Sequence, residues 1–260
     1  MRPIAFALSA VAATLLVGAC AAPELSVSPR VGRVRASGGL GVSTMDVQGT
    51  ASLDSTGLDG REDLLGLRAD VRWGTPHLSV SSQISSHEGS GTLDSTVSSG
   101  SVVLPAGTPV SSDLDLALHS AALTFDLIPG RTLELGIGIG ATAFDLEGTF
   151  RAQGSGAEVE TERVLPIPLF AARAGVRLGP LDVEALGSGV RVDWEGDRLD
   201  YLDLDLNASL RLLGGSEGAY GALLAGYRWI DADLEYEDGG DEVEADLRLR
   251  GPYVGLKIGF

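Results

Sequence analysis

The chain has 260 residues, a single cysteine and a formal net charge of −17. One cysteine excludes an intrachain disulfide, and the acidic balance argues against nucleic acid, or anionic headgroups held by a basic patch, as a partner. Beyond a short N-terminal apolar run, no stretch is apolar for 18 residues, so the sequence predicts no transmembrane helix. The length is enough for one large β domain.

The N-terminus has the features of a secretory signal. Met1-Arg2 supplies positive charge, Ile4 to Val17 is apolar and uncharged, and small residues follow up to Cys20. The apolar run is shorter than the roughly 20 residues that cross a bilayer, which favours a cleaved signal over residues 1–19. The position of Cys20 resembles a lipoprotein lipobox, which implies an acylated cysteine. Ordinary cleavage at Ala19-Cys20-Ala21, with no lipid, is the alternative.

Period-2 alternation runs through most of the remaining chain. Residues 20–33 are predicted to be a lipidated or flexible segment, and residues 34–260 a β domain. From Leu202 to Leu212, every even position is Leu or Ala and every odd position is polar, so a strand there has one aliphatic face and one polar face. The predicted strands are ten: Val34–Gln48, Asp63–Trp73, Leu78–Ile84, Asp113–Leu127, Thr132–Phe150, Val164–Leu178, Leu181–Trp194, Tyr201–Leu213, Ala219–Tyr236 and Val243–Phe260.

Connections alternate between tight turns and long polar loops. Turns are predicted where Gly and Pro set the backbone dihedrals, at residues 74–77, 128–131, 179–180 and 214–217. Longer polar stretches separate them, among them Ser85–Ser112. Eight strands would result if an early hairpin lies outside the domain, and twelve if Ser85–Ser112 contains a hairpin.

Two strands change the phase of their apolar residues. Leu114 to Leu118 occupy even positions, whereas Leu123 to Leu127 occupy odd ones. A β-bulge near His119-Ser120 is the predicted cause, and Gly251-Pro252 is predicted to be a second irregularity.

The C-terminal strand carries the most specific pattern. Val254, Leu256, Ile258 and Phe260 alternate with small or polar residues, and the chain stops on the aromatic ring. This ending resembles the last strand of bacterial outer-membrane β-barrel proteins. The resemblance is to the broad class and covers most of the chain after the signal.

The resemblance implies an all-β fold: a closed, antiparallel, up-and-down transmembrane β-barrel of about ten strands. It also implies a Gram-negative outer membrane as location, with membrane lipid and the barrel-assembly machinery, through the C-terminal strand, as partners. Short turns on one rim and long loops on the other agree with it.

Aromatic residues are predicted to form two interfacial girdles. One group lies about one membrane-crossing length from the nearest tight turn, and the other lies beside the turns or the terminus. The predicted girdle consists of Trp73, Phe144, Trp194, Tyr201, Tyr220, Trp229 and Phe260.

Charged residues on the polar strand faces are the candidate site. In a membrane barrel these faces line the lumen, where ions must be paired or hydrated. The predicted lumen network consists of Arg68, Asp70, Arg72, Asp113, Asp115, Glu134, Asp203, Asp205, Arg211, Arg248 and Arg250. It predicts either a salt-bridged plug or a narrow, cation-favouring pore.

Two further functions remain open at this point. Outer-membrane hydrolases of barrel fold use His with Ser or Asp, and His119 lies beside Ser120, although adjacent strand residues point to opposite faces. A soluble periplasmic barrel of lipocalin type would instead turn the Leu-rich face of residues 202–212 inward, around an apolar ligand. The acidic Asp231–Glu242 stretch lacks EF-hand spacing, so no metal site is predicted. No cofactor and no catalytic residue are predicted either. The favoured function is a non-enzymatic outer-membrane barrel with a structural or surface-interaction role, or a narrow pore.

Overall fold

The chain folds into one closed antiparallel barrel. A computed structural model describes residues 23–43, 47–99, 102–128, 132–194, 197–214, 218–238 and 241–260. Its strands are β1 (Glu24–Ser43), β2 (Val47–Ser52), β3 (Arg61–Arg72), β4 (Pro76–Thr92), β5 (Val97–Ser99), β6 (Val102–Leu104), β7 (Pro109–Asp126), β8 (Leu133–Ala152), β9 (Glu158–Leu178), β10 (Leu181–Trp194), β11 (Asp197–Gly214), β12 (Tyr220–Asp238) and β13 (Asp241–Gly259). None of the described residues forms a helix long and apolar enough to cross a membrane.

Ten of these strands form the ring, as predicted. They are β1, β3, β4 and β7 to β13, and β13 pairs with β1 to close the sheet. The short strands β2, β5 and β6 pair beside the upper part of β1. Ser85–Ser112 therefore does contain a hairpin, β5–β6, but this hairpin does not join the ring.

The first strand begins ten residues before the predicted start at Val34. Glu24 to Arg35 pair with β3, and Ser26 pairs with Gly259 of β13. Residues 24–33 are thus part of the barrel, not a flexible segment. Leu25, Val27 and Val31 alternate there with residues that face the interior, as in the other strands.

The tight turns, the start of β1 and the end of β13 share one rim, here called the lower rim. Gly74 and Gly179 have φ of 75° and 64° in the turns after β3 and β9, a conformation that glycine adopts without steric cost. The longer connections lie at the opposite, upper rim.

The outer surface of the lower half is apolar. Leu206 is 56% exposed, and its neighbours on adjacent strands are also large and aliphatic. We call this surface the lipid band; it consists of Leu25, Val31, Leu65, Leu67, Val80, Ile84, Phe125, Ile137, Ile139, Phe170, Leu202, Leu204, Leu206, Leu223, Val254, Leu256 and Ile258. On β11 the apolar positions run from Leu202 to Leu212, matching the roughly 9 to 11 residues that a tilted strand needs to cross a bilayer. An apolar belt of this extent is typical of a membrane surface.

The upper half, here called the head, has the opposite polarity. Its strands continue beyond the lipid band, with charged residues outside and a continuous apolar core inside. Leu53, Leu58, Leu93, Val97 and Leu104 from the upper connections are buried in this core and cover its top. The Ser85–Ser112 segment therefore contributes to a packed cap.

The phase changes in the sequence result from this inversion and not from bulges. In β7, Leu114, Leu116 and Leu118 face inward in the head, whereas Phe125 faces lipid below. The pairing of β7 with β4 and β8 is continuous through His119 and Ser120, so the predicted bulge is wrong. The pairing of β13 with β12 is likewise regular through Gly251-Pro252.

Candidate functional site in the barrel interior

Strand alternation places a charged layer inside the lipid band. On β11, Asp203 and Asp205 are buried while Leu204 and Leu206 are exposed. This arrangement is the one expected of a membrane barrel, and it contradicts the soluble lipocalin-type alternative, which required the leucines of β11 to face inward.

Arg68 lies at the centre of this layer. Its side chain is 2% exposed, and its guanidinium reaches Asp70 at 2.8 Å and Glu184 at 2.5 Å. Asp205 lies 3.5 Å away, and Ser79 accepts a further hydrogen bond at 3.2 Å. Residues from four strands therefore converge on one buried cation.

Asp205 connects this centre to the first and last strands. It accepts a hydrogen bond from Arg30 at 2.6 Å and another from the hydroxyl of Tyr253. The Arg30 guanidinium also lies over the Tyr253 ring, 4.7 Å from its centroid. Beside them, Arg228 forms a bidentate pair with Asp203, at 2.9 and 2.6 Å.

A second cluster lies nearer the lower rim. Arg72 and Arg173 each bridge the same two carboxylates, Asp126 and Glu134; the Arg72–Asp126 distance is 3.0 Å. The Arg173 side chain is fully buried. A closed four-member network satisfies these charges where water is scarce.

The lowest group surrounds Asp182. Arg177 and Arg211 both approach this carboxylate at 2.9 Å. Arg211 also lies over the ring of Tyr220, at 4.5 Å. Through the whole layer, seven arginines pair with seven carboxylates: Arg30, Arg68, Arg72, Arg173, Arg177, Arg211 and Arg228 with Asp70, Asp126, Glu134, Asp182, Glu184, Asp203 and Asp205. This balance differs from the acid excess on which the cation-favouring pore was predicted.

The interior holds seven of the eleven residues predicted for the lumen: Arg68, Asp70, Arg72, Glu134, Asp203, Asp205 and Arg211. The other four face outward from the head, so their assignment to the lumen is wrong. Asp113 and Asp115 are exposed on β7, and Arg248 and Arg250 are exposed on β13, where both approach Asp231. The cause is the inversion: above the lipid band, charged side chains face water outside the barrel.

Three central arginines are absent from the lumen network predicted from the sequence. Arg30 was missed because the first strand was begun at Val34, although Ser26, Ser28 and Arg30 alternate with apolar residues. Arg173 is the single charge between Val164 and Val176 of β9, and Arg228 is the single charge between Tyr220 and Ile230 of β12. Their alternation with flanking outward residues, such as Tyr227 and Trp229 around Arg228, is the signal that would have found them.

Three members of the predicted girdle lie on the outer surface. Trp229 is exposed at the upper edge of the lipid band and meets Tyr227 edge-on at 6.4 Å. Phe260 is exposed at the lower rim, and Trp73 is half-buried there.

Three others face the interior, so their assignment to the girdle is wrong. Phe144 and Tyr201 are buried in the head, where their rings pack edge-to-face at 5.5 Å. Tyr220 packs on Arg211, as described above. The assignment is wrong because large aromatic rings fill a packed core, as in the head, as readily as they lie at a membrane interface. The side chain of Trp194, and Cys20 with the signal segment, lie outside the described part of the chain.

The histidines do not assemble the hydrolytic pair that the alternative function would require. His119 is exposed on the outer face, whereas Ser120 points inward and hydrogen-bonds Thr142 at 2.9 Å. His77 lies 3.3 Å from Asp70. Among the described residues, no three metal-ligating side chains gather to hold an ion.

His87 lies in the head, above the lipid band, fully buried and with no hydrogen-bond partner for either ring nitrogen among the described atoms. Burial lowers the pKa of His87 below its usual value, and the carboxylates of Glu62 and Asp115 oppose this only in part.

Within the described part of the chain, the interior space between the charged layer and the head is small. One cavity of about 30 Å³ is lined by Arg68, Ser120, Thr142, Asp203 and Arg228, among others. Such a volume holds one or two water molecules, not a solute.

Comparison with known proteins supports the fold. No protein-family model matches the chain, and no curated protein matches it in sequence. The outer membrane protease OmpT from Escherichia coli is similar in structure, with a TM-score of 0.58 at 11% identity over 91% of this chain and 97% of that one. Neisserial surface protein A (12% identity, 91% and 97% covered) and Ail of Yersinia pestis (11% identity, 92% and 100% covered) are more distant, each with a TM-score of 0.39.

The ring of ten strands, the lipid band and the polar interior define a transmembrane β-barrel of the outer-membrane class. At 11% identity, the likeness to OmpT shows this fold and nothing of its activity.

Proposed function

We propose that the protein is a sealed, non-enzymatic barrel of the outer membrane, with a structural or surface-interaction role. The observation that carries the proposal is the double filling of its interior. The charged layer occupies the lumen within the lipid band, and the apolar core of the head occupies it above. An ion entering from the lower rim meets the charged layer, and an ion entering from the upper rim meets the apolar core of the head.

The two layers obstruct passage by different means. Paired charges fix their side chains across the lumen, because a buried ion that loses its partner carries a large desolvation cost. The head excludes ions because its mostly apolar interior offers too few polar groups to replace their hydration shell. A barrel of this strand number lies near the size at which side chains fill the interior.

Planar-bilayer recording of the purified full chain tests the seal. We expect no steady unitary current from the wild type, and also none from Arg68→Ala, because the head still closes the upper lumen. Heat-modifiable migration on a detergent gel verifies that each sample is a folded barrel. Steady unitary currents from the wild type, altered in Arg68→Ala, would contradict the seal and establish a pore through the charged layer.

The non-enzymatic assignment has its own test. His119 and Ser120 lie on opposite faces of β7, which supports the absence of a nucleophilic pair there. We expect the purified barrel to leave a mixed peptide library unchanged, and His119→Ala to behave identically. Peptide cleavage that disappears in His119→Ala would overturn the assignment.

The proposed location includes two features at the chain ends. The C-terminal strand is the proposed contact with the assembly machinery, since Val254, Leu256 and Ile258 all face outward beside Phe260. Acylation of Cys20 is the second. Fractionation should recover the wild type and Cys20→Ser alike in the outer membrane, with mass spectrometry showing a lipid on the wild type alone. Release of either protein into the soluble fraction would contradict the integral location.

A further inference from the structure

Strand register brings three arginines into one row on the outer surface. Arg61 of β3 pairs with Arg35 of β1, and Arg35 pairs with Arg250 of β13. All three side chains are exposed. We call them the arginine row; Arg33 and Arg248 flank it on the same face.

The row is electrostatically unfavourable by itself. Residues directly opposite on antiparallel strands have Cβ atoms about 4.5–5.5 Å apart, and like charges there destabilise the pair. Arg35 has Asp59 at 2.8 Å, whereas Arg250 reaches Asp231 only at 3.5 Å. Arg61 makes no ion pair within the described residues. Several guanidinium N–H groups therefore remain available to an added anion, since each guanidinium carries five donors.

The row lies at the boundary between the lipid band and the head. Below it on the same strands, one outward position beyond Arg33, Asp63 and Pro252, are Val31, Leu65 and Val254, all exposed and apolar. Arg250 stacks on Trp229 at 4.8 Å, and tryptophan is enriched at the level of lipid headgroups. The arginines are therefore level with the polar layer of the membrane leaflet on the side of the long connections.

We infer that the arginine row binds the phosphate of an anionic membrane lipid, whose acyl chains lie along the apolar surface below. Guanidinium groups bind phosphate oxygens through paired, charge-assisted hydrogen bonds. A phosphate shared by neighbouring arginines removes their mutual repulsion. The site is local: the chain as a whole has a net charge of −17, from which no such patch is expected. The inference depends on the lipid band and is independent of whether the barrel conducts.

Quenching of Trp229 by brominated lipids measures the preference. The full chain, carrying Trp73→Phe and Trp194→Phe so that Trp229 is the single tryptophan reporter, is reconstituted in vesicles of phosphatidylcholine with phosphatidic acid. Bromine is placed on one lipid or the other, and the ratio of the two quenching strengths gives the relative affinity. We expect phosphatidic acid to be preferred about tenfold, the effect of one or two charge-assisted hydrogen bonds.

Matched variants locate the site. Arg35→Gln with Arg250→Gln should reduce the preference to about one, and Arg61→Gln, which leaves the neighbour of Trp229 intact, should reduce it several-fold. The control is Arg191→Gln with Arg198→Gln, which removes two exposed arginines that each have their own aspartate at 3.0 Å. The control should change the preference less than about twofold.

Three results would overturn the inference. Equal quenching by the two lipids with the wild-type row would exclude a site that prefers the uncapped phosphate of phosphatidic acid to the choline-capped phosphate of phosphatidylcholine. Equal loss in the control pair would reduce the effect to overall charge. Loss of the preference in millimolar inorganic phosphate, but not in chloride of equal ionic strength, would show a site that takes the free anion in place of the lipid.

Discussion

Removing Arg68 tests whether the charged layer is dry and paired. In Arg68→Met, the side chain keeps much of its length but loses its charge. Glu184 then loses its contact at 2.5 Å and Asp70 its contact at 2.8 Å, while Asp205 keeps its bond to Arg30. Breaking a buried ion pair from one side costs about 3–5 kcal/mol, and two carboxylates are affected, so we expect a loss in this range.

A second substitution separates charge from packing. Adding Glu184→Gln removes one of the two carboxylates that Arg68→Met leaves unpaired, so the double variant should be more stable than the sum of the single effects, by about 1–3 kcal/mol. If only packing around the long side chain matters, the two effects will add.

Urea unfolding in detergent micelles, followed by tryptophan fluorescence and by heat-modifiable migration, measures these free energies. Arg191→Met is the matched control, because Arg191 is 79% exposed and its ion pair within the described residues is with Asp200. The control should lose less than about 1 kcal/mol. If Arg68→Met loses no more than the control, the carboxylates are hydrated, the interior is a wet channel, and the reasoning for a seal is refuted.

Three further predictions follow from the two-layer structure. Each is measured by urea unfolding with the same readouts, in lipid vesicles for the first and in micelles for the other two. Leu206→Arg should cost about 2–4 kcal/mol in a bilayer because Leu206 faces lipid. Val103→Arg, equally exposed but in the head, should leave the free energy of unfolding nearly unchanged. Equal costs would show that the lipid band has been assigned to the wrong residues. Phe144→Ala should cost about 3–5 kcal/mol as a core truncation, and a cost below about 1 kcal/mol would mean that the head is not packed. Because the pKa of His87 is lowered on folding, the unfolded chain gains a proton first as pH falls below about 6.5. The stability difference between the wild type and His87→Leu should therefore be constant above that pH and move against the wild type below it, and a pH-independent difference would contradict the burial of His87.

The barrel and its lower half could be predicted from the sequence because the signals there are local. Alternation on β11, the turn residues at Gly74 and Gly179, and the apolar C-terminal strand each act over a few residues. Together they indicate a ring of ten strands and place Asp203 and Asp205 inside it.

The inverted polarity of the head could not be predicted from the same period-2 alternation. Period 2 distinguishes two faces of a strand, but it does not say which medium covers each face. Asp115 and Arg250 were therefore placed in the lumen with Asp205, although they lie where the strand has left the lipid. Strand length was the available signal: β8 has 20 residues and β9 has 21, about twice what a membrane crossing requires.

The inversion of polarity along each strand also fixes how deep the barrel sits. A barrel that is apolar outside over its full height can slide along the bilayer normal at little cost. Here, upward movement would bring lipid-facing residues such as Val254 into water, and downward movement would bring the outward charges of the head, such as Arg33 and Asp63, into hydrocarbon. The same boundary, marked by Trp229, is repeated on every side of the ring. The position of the barrel along the bilayer normal is therefore set by its own side chains, and a membrane of different hydrocarbon thickness must deform to match the lipid band.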